Sequence, residues 1–332
     1  MVILDGTMSS LDDGHETNAG RAYKLLCEAS PNLSLYYEAG LQWRGLRSAP
    51  DVMLGRGINR QIRRAYRFLA TRYREGDRIF LLGYSRGAFA SRSLAGVIDR
   101  VGLLKSEHAN DEDIDKIYSI YQEGEQEVNI GFAAKLCHET APIEMVGVWD
   151  TVKALGVRLP ILWRWSAPKH DFHNHDLGRS IRHGFHALAR DETRVPYVPV
   201  LWTCPDDWQG RIEQIWFPGT HGDVGGQLSG FEAARPLANI PLVWMLERME
   251  TCGLELPDGW RMRFEQNHNA PSASSWRGFG RFFWNRKRRD IACGVCEGLH
   301  HSVHAREQHR PVRSNRGIAA KLKQHFRGPS SV

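Results

Sequence analysis

The stretch Arg78-Ile79-Phe80-Leu81-Leu82-Gly83-Tyr84-Ser85-Arg86-Gly87-Ala88-Phe89 decides the reading of this chain. Residues 78–82 read as a strand whose apolar run Ile79-Phe80-Leu81-Leu82 meets a glycine. Beyond Ala88, the residues Leu94, Ala95, Ile98 and Val101 recur at helical spacing, and Gly102 closes that helix. A strand therefore turns into a helix inside the motif Gly83-Tyr84-Ser85-Arg86-Gly87. So sharp a turn leaves no room for side chains two positions before and after the serine, and glycine stands at both. Ser85 is then presented above the carboxyl ends of the strands, and the free N–H groups of the helix point to the same spot. A glycine-rich helix entry with an incidental serine is the competing reading.

Working outward, strands alternate with helices. Val2–Thr7 reads as a short buried strand ending in a turn, and Leu33–Leu41 as a second strand. Ile58, Ile62, Tyr66, Leu69 and Tyr73 predict a helix stopped by Gly76-Asp77. Ile114, Ile117, Tyr118 and Tyr121 predict a surface helix within an acidic insertion over 106–130, and a second, irregular insertion covers 158–176. Glu144–Trp149 and Ile212–Phe217 read as strands, Arg179–Ala189 as a helix, Val195–Trp202 as extended, and Pro241–Cys252 as a helix. The expectation is an α/β-hydrolase-like fold: a mostly parallel sheet with helices on both faces and inserted surface segments.

A serine hydroxyl attacks an ester only when a base removes its proton, so a histidine and an orienting carboxylate must accompany Ser85. They belong at the ends of later strands, acid before histidine. Asp150 closes the apolar run Val146-Gly147-Val148-Trp149 and is the acid candidate; a turn or helix-cap role is its plainer alternative. His221 follows Trp216-Phe217-Pro218-Gly219-Thr220 in what reads as a polar, glycine-rich loop and is the candidate base. Asp223 is the alternative acid and His301 the alternative base. For the oxyanion hole, one backbone N–H should come from Arg86 and the other from Gly6 or Thr7 after the first strand. Asp5 reads as a buried carboxylate tying that turn down.

Composition narrows the classes. The chain has 332 residues, with 42% hydrophobic and 25% charged, which suffices for a sizeable core. No apolar run reaches the roughly 18–20 residues of a bilayer span. The net charge of +6 is uneven: residues 261–332 carry 15 Lys and Arg against 4 Asp and Glu, and the rest carries 29 against 34. The basic tail over 306–332 suits an anionic partner, but no nucleic-acid motif accompanies it, so nucleic acid is not expected. Trp276, Phe279, Phe282, Phe283 and Trp284 are interleaved with, and followed by, basic residues up to Arg289, a pattern suited to peripheral contact with an anionic membrane. The six cysteines are sparse and read as reduced thiols; Cys293-Gly-Val-Cys296 with His300, His301 and His304 nearby leaves a zinc site open. No cofactor is called for. The N-terminus lacks the pattern of a Sec signal, so the expected location is cytoplasmic, or outside by another export route.

The ordered segments Leu4-Asp5-Gly6-Thr7, Thr17-Asn18, Gly76–Phe80, Gly83–Phe89, Gly147–Val152, His186–Glu192 and Trp216–Gly226 carry a resemblance, and His301-Ser302-Val303 extends it. The chain resembles the uncharacterised α/β-hydrolase family that also supplies the catalytic domain of type VI secretion phospholipase effectors. The resemblance implies one catalytic domain over residues 1–305, with Ser85 as nucleophile, Asp150 as acid and His221 as base, acting on lipid acyl esters. The function expected is a serine esterase; the alternative is a non-catalytic partner-binding domain on the same scaffold.

Overall fold

The computed structural model describes residues 1–29, 31–40, 56–123, 127–152, 176–205, 208–276 and 284–309. Among the described residues, seven strands make a single parallel sheet. They are β1 (Val2–Leu4), β2 (Tyr36–Glu38), β3 (Ile79–Tyr84), β4 (Ile143–Trp149), β5 (Ile181–Ala189), β6 (Arg211–Phe217) and β7 (Glu297–Leu299), in the spatial order β2-β1-β3-β4-β5-β6-β7. The α-helices among the described residues are α1 (Asn18–Leu26), α2 (Arg56–Arg72), α3 (Arg86–Arg100), α4 (Asp111–Glu123), α5 (Glu127–Leu136), α6 (His221–Gly225), α7 (Arg235–Thr251) and α8 (His301–Gln308).

The two-residue alternation of strand side chains divides the core into two layers. Val2, Leu4, Leu81, Val146 and Val148 point to one face, where Ile62, Tyr66 and Leu69 of α2, Leu94 and Ile98 of α3 and Ile117 of α4 cover them. Ile3, Phe80, Leu82, Met145 and Trp149 point to the other, under Ala22 and Leu26 of α1 and Leu242, Met245 and Leu246 of α7. Helices thus cover both faces, and β1, β3 and β4 are buried throughout, with Glu144 the one charged residue among them. Because every strand runs the same way, Asp5, Ser85, Asp150 and the segments after β5 and β6 all emerge at one edge of the sheet. The strand order reverses between β1 and β3, and the crevice opened by such a reversal is where parallel sheets place their sites.

The helix expected over 179–189 is instead β5, flanked by β4 and β6. Its alanines and the Phe185, Leu188, Ala189 spacing mimic a helix. The position is nevertheless between two strands, and small residues suit a surface packed from both sides: a Cβ on Gly184 would stand 2.3 Å from Leu177 Cδ1. The expected extended segment over 195–202 contains a 3-10 turn at Val195–Tyr197. The second strand is shorter than expected, the acidic insertion holds α4 and the start of α5, and most of the 158–176 insertion lies outside the described residues, as do residues 310–332 of the tail.

The cysteines also depart from expectation. Cys204 and Cys296 form a disulfide across a sequence separation of 92, so these two are not reduced thiols. The pairing of β7 beside β6 creates the proximity: Gln214 of β6 donates its backbone N–H to Cys296 O (3.0 Å), and its side chain binds both backbone groups of Trp202. Cys293 remains a free, exposed thiol. Among the described residues, no group of three or more His, Cys, Asp and Glu side chains is arranged to hold a metal ion.

Candidate active site

The turn between β3 and α3 has the shape its glycines require. Ser85 has φ 58° and ψ −119°, in the left-handed half of φ space that non-glycine residues seldom occupy. A Cβ on Gly87 would lie 2.1 Å from Leu4 O, so the start of α3 rests directly on the end of β1. Ser85 donates its N–H to Trp149 O at 3.0 Å, tying the turn to the end of β4. The residue is buried, as are Asp150 and His221.

Ser85, Asp150 and His221 come together from three strand ends. Ser85 Oγ stands 2.9 Å from His221 Nε2, and His221 Nδ1 stands 2.6 Å from Asp150 Oδ2. His221 opens the short helix α6 rather than sitting in a loop. Thr220 caps that helix, and Asp223 completes a capping box. The imidazole lies between Tyr84, at 4.9 Å between ring centroids, and Tyr197, edge-on at 4.8 Å. Its backbone N–H donates to Glu192 Oε2 at 3.2 Å. Ring and backbone are therefore both fixed from several sides.

Asp150 also has positive φ, at 41°. Its N–H donates to Ala187 O (2.8 Å), and Oδ1 accepts the N–H of Ala189 (2.9 Å). The Arg289 guanidinium adds a two-pronged contact, Nη1 to Oδ1 at 2.6 Å and Nη2 to Oδ2 at 2.9 Å. Burial opposes the carboxylate charge, yet Arg289 and the His221 bond outweigh it and hold Asp150 well below the usual carboxylate range. Burial pulls His221 below the ordinary imidazole range, and its bond to Asp150 pulls the other way without cancelling it. His186, buried beneath the site, is pushed down to about 3 by burial and accepts the N–H of Thr151 on Nε2 at 3.1 Å, which anchors the turn after Asp150.

The remaining candidates lie elsewhere. Asp223 turns its carboxylate onto Thr220 N (2.7 Å), Ser272 Oγ (2.5 Å) and Ala273 N (2.7 Å), not onto the imidazole. His301 begins α8, is exposed, and lies with its ring tilted against that of His300, 4.0 Å between centroids. On the first turn, Asp5 is buried and ties the segment down: Oδ1 accepts Gly6 N (2.6 Å) and Oδ2 accepts Thr17 Oγ1 (2.6 Å) and Tyr37 OH (2.7 Å). Burial pushes the Asp5 carboxyl up to about 6 despite these donors. The Gly6 N–H is thereby engaged by its neighbour's carboxylate, which leaves Thr7 as the donor candidate on this turn. Arg86 is the first residue of α3, where an N–H has no acceptor within the helix.

The aromatic and basic stretch 276–289, where contact with an anionic membrane was expected, is described only in part. Residues 277–283, including Phe279, Phe282 and Phe283, lie outside the described residues. Trp276 and Trp284 are exposed, at 64% and 89%. Two of the arginines are not at the surface as headgroup-facing charges: Arg286 binds Thr193 Oγ1 and Ser275 Oγ, and Arg289 binds Asp150. Arg289, Glu192, Arg194 and Tyr197 are the site residues that sequence reasoning did not assign. Glu192 lies in the segment His186–Glu192, but its contact with the His221 backbone arises from the placement of the end of β5 beside α6. Arg289 had no local signal, because a basic run reads as surface.

An uncharacterized protein of Saccharomyces cerevisiae is 26% identical over 241 residues, covering 61% of this chain and 34% of that protein. Among solved structures, an uncharacterized protein from Pseudomonas aeruginosa matches with TM-score 0.44 and 14% identity, over 81% of this chain and 48% of the other. The Tle1 effector, in a structure bound to the VgrG spike of the type VI secretion system, matches with TM-score 0.38 and 16% identity, over 68% of this chain and 50% of the other. The chain spans about a third of the yeast relative and about half of each solved chain. The family model described as the catalytic domain of Tle1-like type VI secretion phospholipase effectors matches residues 1–248, and the chain belongs to that family.

Proposed function

We propose that the chain is a serine hydrolase cleaving carboxylic esters of phospholipids or related lipids. The observation that carries this reading is the run of contacts from Ser85 Oγ through His221 to Asp150, at 2.9 and 2.6 Å, at the carboxyl edge of a parallel sheet. Ser85 Oγ attacks the ester carbonyl while His221 Nε2 takes its proton. The N–H groups of Arg86 and Thr7 meet the charge that develops on the carbonyl oxygen. Collapse of the tetrahedral adduct expels the alcohol, which receives the proton from His221 and leaves an acyl group on Ser85. Water, activated by the same imidazole, then releases the acid. Asp150 holds the ring in the tautomer that keeps Nε2 free to accept. Membership of a phospholipase effector family supports the lipid substrate class.

The test is labelling with a fluorophosphonate, in which a nucleophilic serine oxygen bonds to phosphorus and fluoride departs. Wild type is expected to label at Ser85, and Ser85→Ala to remain unlabelled and to lose ester turnover. Turnover retained by purified Ser85→Ala rules out the serine mechanism.

A further inference from the structure

The acid Asp150 is held from behind by a segment beyond the matched residues 1–248. Residues 285–287 run antiparallel to 193–195: Val195 N donates to Asn285 O (3.1 Å) and Lys287 N donates to Thr193 O (2.8 Å). Arg286 reinforces the pairing through Thr193 Oγ1 and through Ser275, with bonds of 2.9–3.0 Å. Further on, Cys296 is fastened to Cys204. This strap delivers Arg289 inward, where its side chain is only 5% exposed and Asp150 is fully enclosed.

Four bonds of Arg289 join three pieces of the site. Two go to the Asp150 oxygens, one to Ala189 O at the end of β5 (2.7 Å), and one to Tyr197 O, beneath the ring that touches His221. A planar guanidinium binding both oxygens of a carboxylate fixes its rotation as well as its position. Oδ2 is the atom that meets His221 Nδ1, so fixing the carboxylate plane aims it at the imidazole. The fork also opposes the Asp150 charge. The imidazole consequently faces a neutralised carboxylate rather than a bare one, and it gains less from being protonated.

We propose that Arg289, presented by the 285–289 strap, is the positioning residue for Asp150 and sets how readily His221 carries a proton. The proposal rests on the reading of Ser85, His221 and Asp150 given above. The charged or titratable groups facing His221 are Asp150 at the end of β4, Tyr84 and Ser85 at the end of β3, and Glu192, Arg194 and Tyr197 after β5. Arg289 reaches the imidazole only through Asp150. Arg194 is the other cation, but its charge is matched by Glu192, to which it is bonded at 2.7 Å. Removal of Arg289 therefore leaves the Asp150 charge facing the imidazole uncompensated.

The experiment measures the fluorophosphonate labelling rate of the full chain from acid to alkaline pH. Wild type, Arg289→Ala, Arg289→Gln and Ser85→Ala are compared, and folding is checked by thermal melting. Arg289→Ala is expected to label roughly tenfold to a hundredfold more slowly at neutral pH, the scale of a slightly misplaced catalytic group. The midpoint of its acidic limb should move to higher pH, and added guanidinium ion should restore part of the rate. Arg289→Gln keeps one amide donor without the charge and should show the same upward shift. If Arg289→Ala does not fold, Arg289→Gln decides. A folded Arg289 variant with the wild-type rate and the wild-type acidic limb overturns the proposal, as does a lowered rate with an unmoved limb and no guanidinium response, which is what a purely structural strap would give. Wild type that fails to label at Ser85 overturns the underlying nucleophile reading instead, so the two failures are distinct.

Discussion

Glu192 Oε2 accepts the backbone N–H of His221 at 3.2 Å, and the same carboxylate binds the Arg194 guanidinium through Oε1 at 2.9 Å and Oε2 at 2.7 Å. A fully enclosed acid thus sets the backbone of the proposed base from a different direction than Asp150 sets its ring. Glu192→Ala should destabilise the fold by about 3–5 kcal/mol, because it strands a mostly buried arginine. Thermal or urea melts measure this. Burial opposes the Glu192 charge, but Arg194 outweighs it and lowers the group below its ordinary range. The stabilisation is therefore complete above that ordinary range and is lost as pH falls through the lowered folded value. A melt difference between wild type and Glu192→Ala that grows on acidification contradicts the assignment.

The pH dependence of turnover tests His221 as the proposed base. The base works only when neutral, and burial lowers its proton affinity against the pull of Asp150. The acidic limb of kcat/KM on a soluble ester should therefore have its midpoint below the ordinary imidazole value of about 6.5. A midpoint above that value contradicts the burial argument.

The two aspartates near His221 should separate by phenotype. Asp150→Asn is expected to lower turnover by about 10⁴, the scale for losing the acid that fixes the histidine tautomer. Asp223→Asn removes acceptor strength from a helix cap and should cost about 0.5–2 kcal/mol of stability with far smaller effects on rate. Rates and melts of both variants test this, and the reversed pattern would transfer the acid role to Asp223.

Reduction of the Cys204–Cys296 bond, or Cys296→Ser, should lower stability by about 2–4 kcal/mol, since the bond closes a long loop. Melts with and without reductant measure it. Cys296→Ser should lose its response to reductant; a wild-type melt that reductant leaves unchanged contradicts the pairing.

Trp276 and Trp284 are large rings left in water, next to a basic stretch. Peripheral binding to anionic vesicles through these rings predicts weaker, salt-sensitive association for Trp276→Ala plus Trp284→Ala. Turnover of a soluble short-chain ester should be unchanged in that variant. Equal vesicle binding by wild type and the double variant rules out the membrane role of these rings.

How much could be read beforehand depended on the range of the determining forces. The β3–Ser85–α3 turn is written in neighbouring residues, since an apolar run, two glycines and an amphipathic helix act over one short stretch. Asp150 and His221 were legible because a parallel sheet directs strand ends to one edge. β5 was not, because its identity comes from β4 and β6 rather than from its own alanine-rich composition. Arg289 and Cys296 were misread for a related reason: one contacts residues about a hundred or more positions away, the other a partner 92 away, and local patterning carries no trace of either.

Ser85 and Asp150 are both non-glycine residues with positive φ, each at the last bend of a neighbouring buried strand. Such backbone is held by its surroundings at a cost of about 1–3 kcal/mol per residue, which glycine does not incur. At Ser85 glycine would relax the bend while discarding the hydroxyl of the proposed nucleophile, whereas at Asp150 the same relief would leave the buried Arg289 without its carboxylate. The bend at Ser85 is therefore a cost in stability that the fold alone gives no reason for a serine to bear, while the bend at Asp150 is held by the contacts of its own carboxylate.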